Sequence, residues 1–164
     1  MRKAPPETSW VREENLHLSI KFFGEQPDTA PGELTNILAA IAAAQQPIDL
    51  RIGGLGAFPN LRSPRVVWMG VQQDPRLELV HHDVEEACAA SGFALDGRAF
   101  RPHITLARVR DGMPVATSRA LAVAARAVKH QGMQQVTAIS LVESVLAPGG
   151  ARYDTVASIP LGGG

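Results

Sequence analysis

Leu16-His17-Leu18-Ser19-Ile20-Lys21-Phe22 is the first of two stretches that decide the fold, and Arg101-Pro102-His103-Ile104-Thr105-Leu106 is the second. In both, apolar and polar residues alternate with a period of two, which is typical of a half-buried β-strand. Since every second side chain of a strand points to the same face, each strand presents one imidazole and one hydroxyl on one face. Lys21 continues the row of His17 and Ser19, and the apolar residues of the first stretch turn into the core.

The elements around these stretches form a repeat. Residues 16–71 predict a strand, a helix from about Pro31 to Pro47, and strands at 48–52 and 66–71 that flank a Gly-rich loop at 53–60. Residues 102–160 predict a strand, a helix at 117–128, and strands at 136–146 and 152–159 joined by a turn at 148–150. A further helix from Asp74-Pro75 to Ser91-Gly92 connects the halves. We therefore predict an α+β domain over residues 1–164 with two related halves.

Composition limits the partners. The chain has 45% hydrophobic residues and 16 basic residues against 16 acidic ones, so it forms a core but offers no basic excess for gripping a long duplex. A nucleic-acid substrate would be recognised through a small feature, such as an end. Cys88 is the only cysteine, which excludes an intramolecular disulfide and a cysteine-based zinc cluster. We expect a cytoplasmic protein without a membrane partner, since neither a signal peptide nor a membrane-spanning apolar run is present, and no obligate protein partner is evident.

The two motifs suit phosphoryl transfer. A phosphodiester needs one oxygen deprotonated and another protonated across phosphorus, and histidine side chains can do either at neutral pH. Hydroxyls such as those of Ser19 and Thr105 can donate to the non-bridging phosphate oxygens. Two histidines could instead ligate zinc, but no Asp, Glu or Cys stands beside them to complete a set, so we predict no metal and no cofactor.

The motif residues also carry a family resemblance. In six stretches, which follow one another in the family's order, the chain resembles the two-histidine (2H) phosphoesterases. The stretches are Trp10-Val11, residues 14–25, Phe58-Pro59, residues 64–71, residues 100–108 and residues 148–153. The branch concerned is that of the RNA 2′,3′-cyclic phosphodiesterases, also called 2′-5′ RNA ligases. The resemblance implies a bilobal α+β fold, with two pseudo-symmetric lobes whose antiparallel sheets face a central groove and whose helices lie outside.

The resemblance also implies the roles of individual residues. By the family mechanism His103 activates water and His17 protonates the departing 3′ oxygen, which leaves a 2′-phosphate. Ser19 and Thr105 would hold the phosphate, and Arg108 matches a family arginine that contacts phosphate. Arg108 lies five residues after His103, so strict alternation places it on the opposite face, and it needs a bulge or the end of the strand to reach the site.

Other candidates are open to two interpretations. Lys21 either contacts phosphate or is solvated at the strand end. Phe58 either stacks a base at the groove mouth or packs in the core, whereas Trp10 and Trp68 are predicted in the core.

Three activities fit this set of residues. Hydrolysis of RNA 2′,3′-cyclic phosphate ends is the leading hypothesis. The alternatives are 2′-5′ ligation by the reverse chemistry and non-catalytic binding of RNA ends. The sequence leaves open whether ATP or GTP binds in the groove as a further partner.

The repeat and the resemblance together predict a strand and a helix ahead of His17, for which the sixteen preceding residues leave no room. We therefore expect the first motif to be less covered than the second, with lower stability or dimerisation as the consequence.

Overall fold

The computed structural model describes residues 8–109, 113–128, 131–147 and 150–162. Alternating helices and strands confirm the predicted α+β class. A 3₁₀ turn lies at Glu13–Asn15. The remaining elements are β1 (Thr8–Trp10), α1 (Ala30–Ala43), β2 (Ile48–Phe58), β3 (Val66–Val71), α2 (Pro75–Ala90), β4 (His103–Val109), α3 (Val115–Ala127), β5 (Gln131–Val136), β6 (Ala138–Ala147) and β7 (Gly150–Pro160).

The chain divides into two compact units, and each takes segments from both sequence halves. Unit 1 comprises Met1–Ser19, Leu50–Gln72 and Arg101–Gln134, and unit 2 comprises Ile20–Asp49, Gln73–Phe100 and Gln135–Gly164. The predicted halves therefore do not fold separately, because β4 of the second half pairs with β3 of the first half.

Unit 1 is built on a five-stranded sheet in the order β1-β4-β3-β2-β5. One face of this sheet is the apolar core, where Val67, Ala107 and Val109 are buried and Leu121 of α3 packs against them. Burial of such side chains contributes roughly 25 cal/mol per Å² of apolar surface. Since α3 covers this face, residues of β4 that point the other way are available to a site.

Unit 2 contains α1, α2 and the two-stranded ribbon β6–β7. The predicted apolar stripes are buried except at Ile37 of α1, which is half-buried. The buried residues are Leu34, Leu38 and Ile41 on α1, and Leu77, Val80, Val84 and Cys88 on α2. Asp74 caps α2 by accepting a hydrogen bond from the Arg76 N–H (2.9 Å), and Gly92 follows the helix with a φ of +89°. Both helix ends were predicted from these residues, because Asp is a favoured N-cap and Gly tolerates positive φ.

Two sequence predictions are wrong in detail, and one strand was missed. Residues 16–22, all of which are described, form a single bridge at Leu18 instead of a strand, and Leu16 and Phe22 are 42% and 67% exposed rather than in the core. The predicted loop at 53–60 is mostly strand, since β2 continues to Phe58. Strand β5 was not predicted at all. The predicted turn at 148–150 lies mainly outside the described residues.

Candidate active site

The two histidine motifs meet at one antiparallel bridge, between Leu18 and Ile104 in unit 1. In an antiparallel register the residues on either side of such a pair oppose each other crosswise. His17 is therefore opposite Thr105, and Ser19 is opposite His103. His103 and Thr105 share one face of β4, and the pairing of Leu18 with Ile104 brings His17 and Ser19 alongside them.

Each imidazole makes the same kind of contact with the backbone, a hydrogen bond to the carbonyl oxygen two residues earlier. The Nδ1 of His17 lies 2.7 Å from the carbonyl oxygen of Asn15, and the Nδ1 of His103 lies 2.6 Å from that of Arg101. Because a carbonyl oxygen only accepts, Nδ1 carries the proton in each ring. The neutral ring then has its basic lone pair on Nε2, and the charged ring has an Nε2 proton to give. The two histidines are thus prepared alike for proton transfer.

A bulge in β4 sets the direction of Arg108. Thr105 pairs with Trp68, Ala107 pairs with Val67, and Arg108 pairs with Val66, so Leu106 is the extra residue in the described β3–β4 register. Paired residues share a face, and residues two apart on β3 share a face as well. Arg108 therefore lies on the face of His103 and Thr105, while Ala107 turns into the core. Of the two ways in which Arg108 could reach this face, a bulge or the end of the strand, the bulge is the one present.

Two aromatic side chains support the His103 ring. Phe58 contacts it edge to face with ring centroids 5.0 Å apart, and Trp68 lies 6.2 Å from it. The Trp68 ring lies over Gly56 of β2, where an added Cβ would collide with the indole. Glycine is therefore needed opposite Trp68. Phe58 packs against the histidine, and base stacking by Phe58 stays a prediction.

Sequence reasoning missed the contact between Trp68 and His103, although Gly56 opposite a tryptophan in the β2–β3 register is a usable signal. Trp10, also predicted in the core, is 57% exposed.

Lys21 has a different role from the one predicted. The chain bends at Ile20, so the row of His17 and Ser19 ends before Lys21, which belongs to unit 2. The Lys21 side chain is 2% exposed, and its Nζ donates to Glu85 Oε1 (2.7 Å) and to the Ala94 carbonyl (2.8 Å). A buried ammonium with these partners serves structure, and we correct the phosphate-binding assignment of Lys21 accordingly.

Glu85 is the counterion in this buried pair. Burial alone would raise the pKa of its carboxyl, but the hydrogen bonds from Lys21 and from the Asp96 N–H, with the positive charge of Lys21, outweigh burial. The pKa of Glu85 therefore lies below its ordinary value of 4.5. The pair ties α2 to the segments around Lys21 and Asp96 within unit 2.

Neither a metal site nor a membrane-spanning helix is found in the described part of the chain. No group of three or more His, Cys, Asp or Glu side chains in the described part of the chain is placed to hold a metal ion. None of the described helices is long and apolar enough to cross a membrane.

The fold and the crosswise histidine motifs define a phosphoesterase of the two-histidine class. Residues 2–145 match the family model of the 2′-5′ RNA ligase superfamily. The chain belongs to this superfamily, which confirms the family predicted from the sequence.

Named relatives agree with this membership. A protein called RNA 2′,3′-cyclic phosphodiesterase from Geobacillus stearothermophilus is 41% identical over 107 residues, covering 65% of this chain but only 34% of the relative. One of the same name from Aeropyrum pernix is 33% identical over 152 residues, covering 89% of this chain and 82% of the relative. These relatives carry the name of the enzyme class that the sequence predicts.

Solved structures show the same fold. The crystal structure of E. coli LigT complexed with 3′-AMP matches with a TM-score of 0.73 and 29% identity, covering 96% of this chain and 84% of that one. Other crystal structures of E. coli LigT contain NADP+ and ATP.

Proposed function

We propose that this protein hydrolyses the 2′,3′-cyclic phosphate ends of RNA to 2′-phosphate ends, with His17 and His103 as the acid–base pair. The observation that carries the proposal is the shared geometry of the two imidazoles. They flank one antiparallel bridge, and each donates its Nδ1 proton to a carbonyl two residues earlier. Each Nε2 is thereby left as the atom that exchanges a proton with substrate.

The reaction divides the proton transfers between the two rings. Neutral His103 takes a proton from water at Nε2 as the water oxygen bonds to phosphorus. Charged His17 gives its Nε2 proton to the 3′ oxygen as the bond from phosphorus to that oxygen breaks. The protonation states of the rings are exchanged at the end of turnover, and solvent restores them.

Ser19, Thr105 and Arg108 would hold the phosphate. The hydroxyls lie crosswise from the histidines, and Arg108 shares their face through the bulge. These groups donate hydrogen bonds to the non-bridging oxygens, where negative charge gathers in the transition state. Arginine adds a full positive charge to this set.

Activity should persist in EDTA, and the product should be the 2′-phosphate alone. Two imidazoles supply both proton transfers, and the phosphate charge is met by hydroxyls and a guanidinium. The test measures the hydrolysis of adenosine 2′,3′-cyclic phosphate with and without EDTA. Separation of adenosine 2′-phosphate from adenosine 3′-phosphate then identifies the product. Loss of activity on chelation with recovery on adding zinc or manganese would contradict the metal-independent mechanism.

Arg108→Gln should lower kcat/KM for adenosine 2′,3′-cyclic phosphate by about 10- to 100-fold, the size of a lost charge-assisted hydrogen bond. Arg119→Gln is the matched control, since Arg119 is an exposed residue of α3 and α3 covers the other face of the sheet. Equal rates for the two variants would remove Arg108 from the phosphate site.

The alternatives use the same residues. Joining a cyclic end to a 5′-hydroxyl through a 2′-5′ bond reverses the same proton transfers, and the superfamily name favours this reaction as the second candidate. An RNA-end binder without catalysis would bind the cyclic nucleotide and leave it intact. ATP or GTP as a partner stays a prediction, supported by the nucleotides in E. coli LigT, as does a cytoplasmic location.

A further inference from the structure

A cavity of about 780 Å³ lies in unit 1 at the end of the sheet where β4 begins. Its walls come from three strands: Arg51, Gly53 and Gly54 of β2, Gly70 and Gln72 near the end of β3, and Gln131 of β5. Gly70 is the partner of His103 in the β3–β4 register. The cavity is therefore lined by the strand that pairs with His103, and neighbouring strands of a sheet lie about 4.8 Å apart.

Glycines keep this space open. The β2–β3 register shifts between Ile52 and Leu55. Gly54 within that irregularity has a φ of +73°, a backbone conformation that residues other than glycine rarely adopt. A Cβ on Gly70 would come 2.8 Å from the Gly53 carbonyl oxygen. Side chains at these positions would distort or fill the cavity, so its existence depends on the Gly-rich sequence.

The electrostatics of the cavity favour an anion. Among the described residues that line it, Arg51 alone is charged, and none is a carboxylate. Arg51 is exposed on β2, and its guanidinium makes no ion pair with any described residue. Gln72 and Gln131 add amides that both donate and accept. A cation beside neutral polar groups and open backbone suits a nucleotide, in which a phosphate is joined to a polar ribose and base.

We propose that this cavity binds the nucleotide immediately 5′ of the cyclic end, with Arg51 contacting the phosphodiester that links the two nucleosides. This inference rests on the proposed function, because it takes the cyclic phosphate to lie at His17 and His103. A cyclic mononucleotide has only the reacting phosphate, whereas an RNA end carries a second anion one nucleotide away. The cavity volume lies within the usual range for small-ligand sites, about 300–1,000 Å³. The protein then selects RNA ends over free cyclic mononucleotides.

The test compares two substrates that differ by this one nucleotide. They are adenosine 2′,3′-cyclic phosphate and the dinucleotide adenylyl-(3′→5′)-adenosine 2′,3′-cyclic phosphate. Wild type should favour the dinucleotide in kcat/KM by about tenfold, and Arg51→Gln should remove this preference, as expected for one charge-assisted hydrogen bond at an exposed position. Arg51→Lys should retain part of it, and the preference should weaken as salt is raised. Arg119→Gln is the control with the same loss of charge.

Binding provides a readout that needs no turnover. Calorimetry with the 2′-phosphate of the same dinucleotide and with adenosine 2′-phosphate should show the dinucleotide advantage in wild type and its loss in Arg51→Gln. An unchanged dinucleotide preference in Arg51→Gln, or an equal loss in Arg119→Gln, would overturn the assignment of the cavity. Absence of hydrolysis of both substrates by wild type would instead refute the proposed function, and the binding comparison would still decide whether the cavity holds a nucleotide.

Discussion

Alanine in place of His17 or of His103 should reduce turnover of adenosine 2′,3′-cyclic phosphate by about 10²–10⁴-fold, the usual contribution of a general acid or base. Each ring is needed for one proton transfer, so neither can replace the other. The double variant should be little worse than either single one, since residues that act as a unit are not additive. His82→Ala provides the control, because His82 is an exposed histidine on α2 of unit 2.

The pH dependence separates the two roles. Wild type should show a bell-shaped profile, because one histidine acts neutral and the other charged. His103→Ala should lose the limb in which a base must be deprotonated, and His17→Ala should lose the limb in which an acid must be protonated. Activity within a few-fold of wild type in either variant would disprove the role given to that residue.

Lys21→Met should lower the free energy of unfolding by about 3 kcal/mol, because it leaves the Glu85 carboxylate buried without its counterion. The two side chains are only 2% and 10% exposed. For a chain of this size the loss corresponds to a fall in Tm of roughly 6–12 °C. The exposed pair of Arg12 and Glu14 is the matched control, and Arg12→Gln should change stability by less than about 0.5 kcal/mol.

A double variant and acid unfolding complete this test. Lys21→Met with Glu85→Met should recover most of the loss, since no buried charge remains. The pKa of Glu85 is lowered in the folded protein, so its stabilising contribution is complete above the ordinary value near 4.5 and is lost as pH falls through the lowered value. Glu85→Gln should flatten the dependence of the unfolding free energy on pH in that range. A Lys21→Met protein as stable as wild type would show that the pair contributes nothing.

The pattern of apolar residues and caps predicted those helices and strands whose sequence signal lies within the element itself. The stripe of α1, the Asp74 cap of α2 and the continuous apolar run of β3 were readable because each signal lies within the element. Strand β5 has the sequence QGMQQV, with no alternation, and it becomes a strand by joining the sheet beside β2. Such a strand depends on a distant neighbour, which no local pattern records.

The features of the candidate site likewise fall into those that the local sequence predicts and those that it does not. Alternation correctly indicated that His103 and Thr105 share a face of β4, yet it could not reveal whether residues 16–22 pair with another strand. Among residues 16–22 only Leu18 forms a bridge to a strand, and the bend at Ile20 takes Lys21 away to Glu85. The Arg51 cavity was not predicted, because residues from three strands line it and the glycines between them resemble a loop.

The extra residue in β4 makes the length of this strand a constraint in its own right. Deleting Leu106 would restore regular pairing with Ala107 still opposite Val67 and Arg108 still opposite Val66, so both side chains would keep their faces. Inserting a residue between Ala107 and Arg108 would instead turn Arg108 to the face of Val67, where an unpaired buried charge costs several kcal/mol. Such an insertion would combine a folding defect with the loss of a proposed phosphate ligand. We expect β4 to tolerate the loss of Leu106 far better than the gain of a residue beyond Ala107.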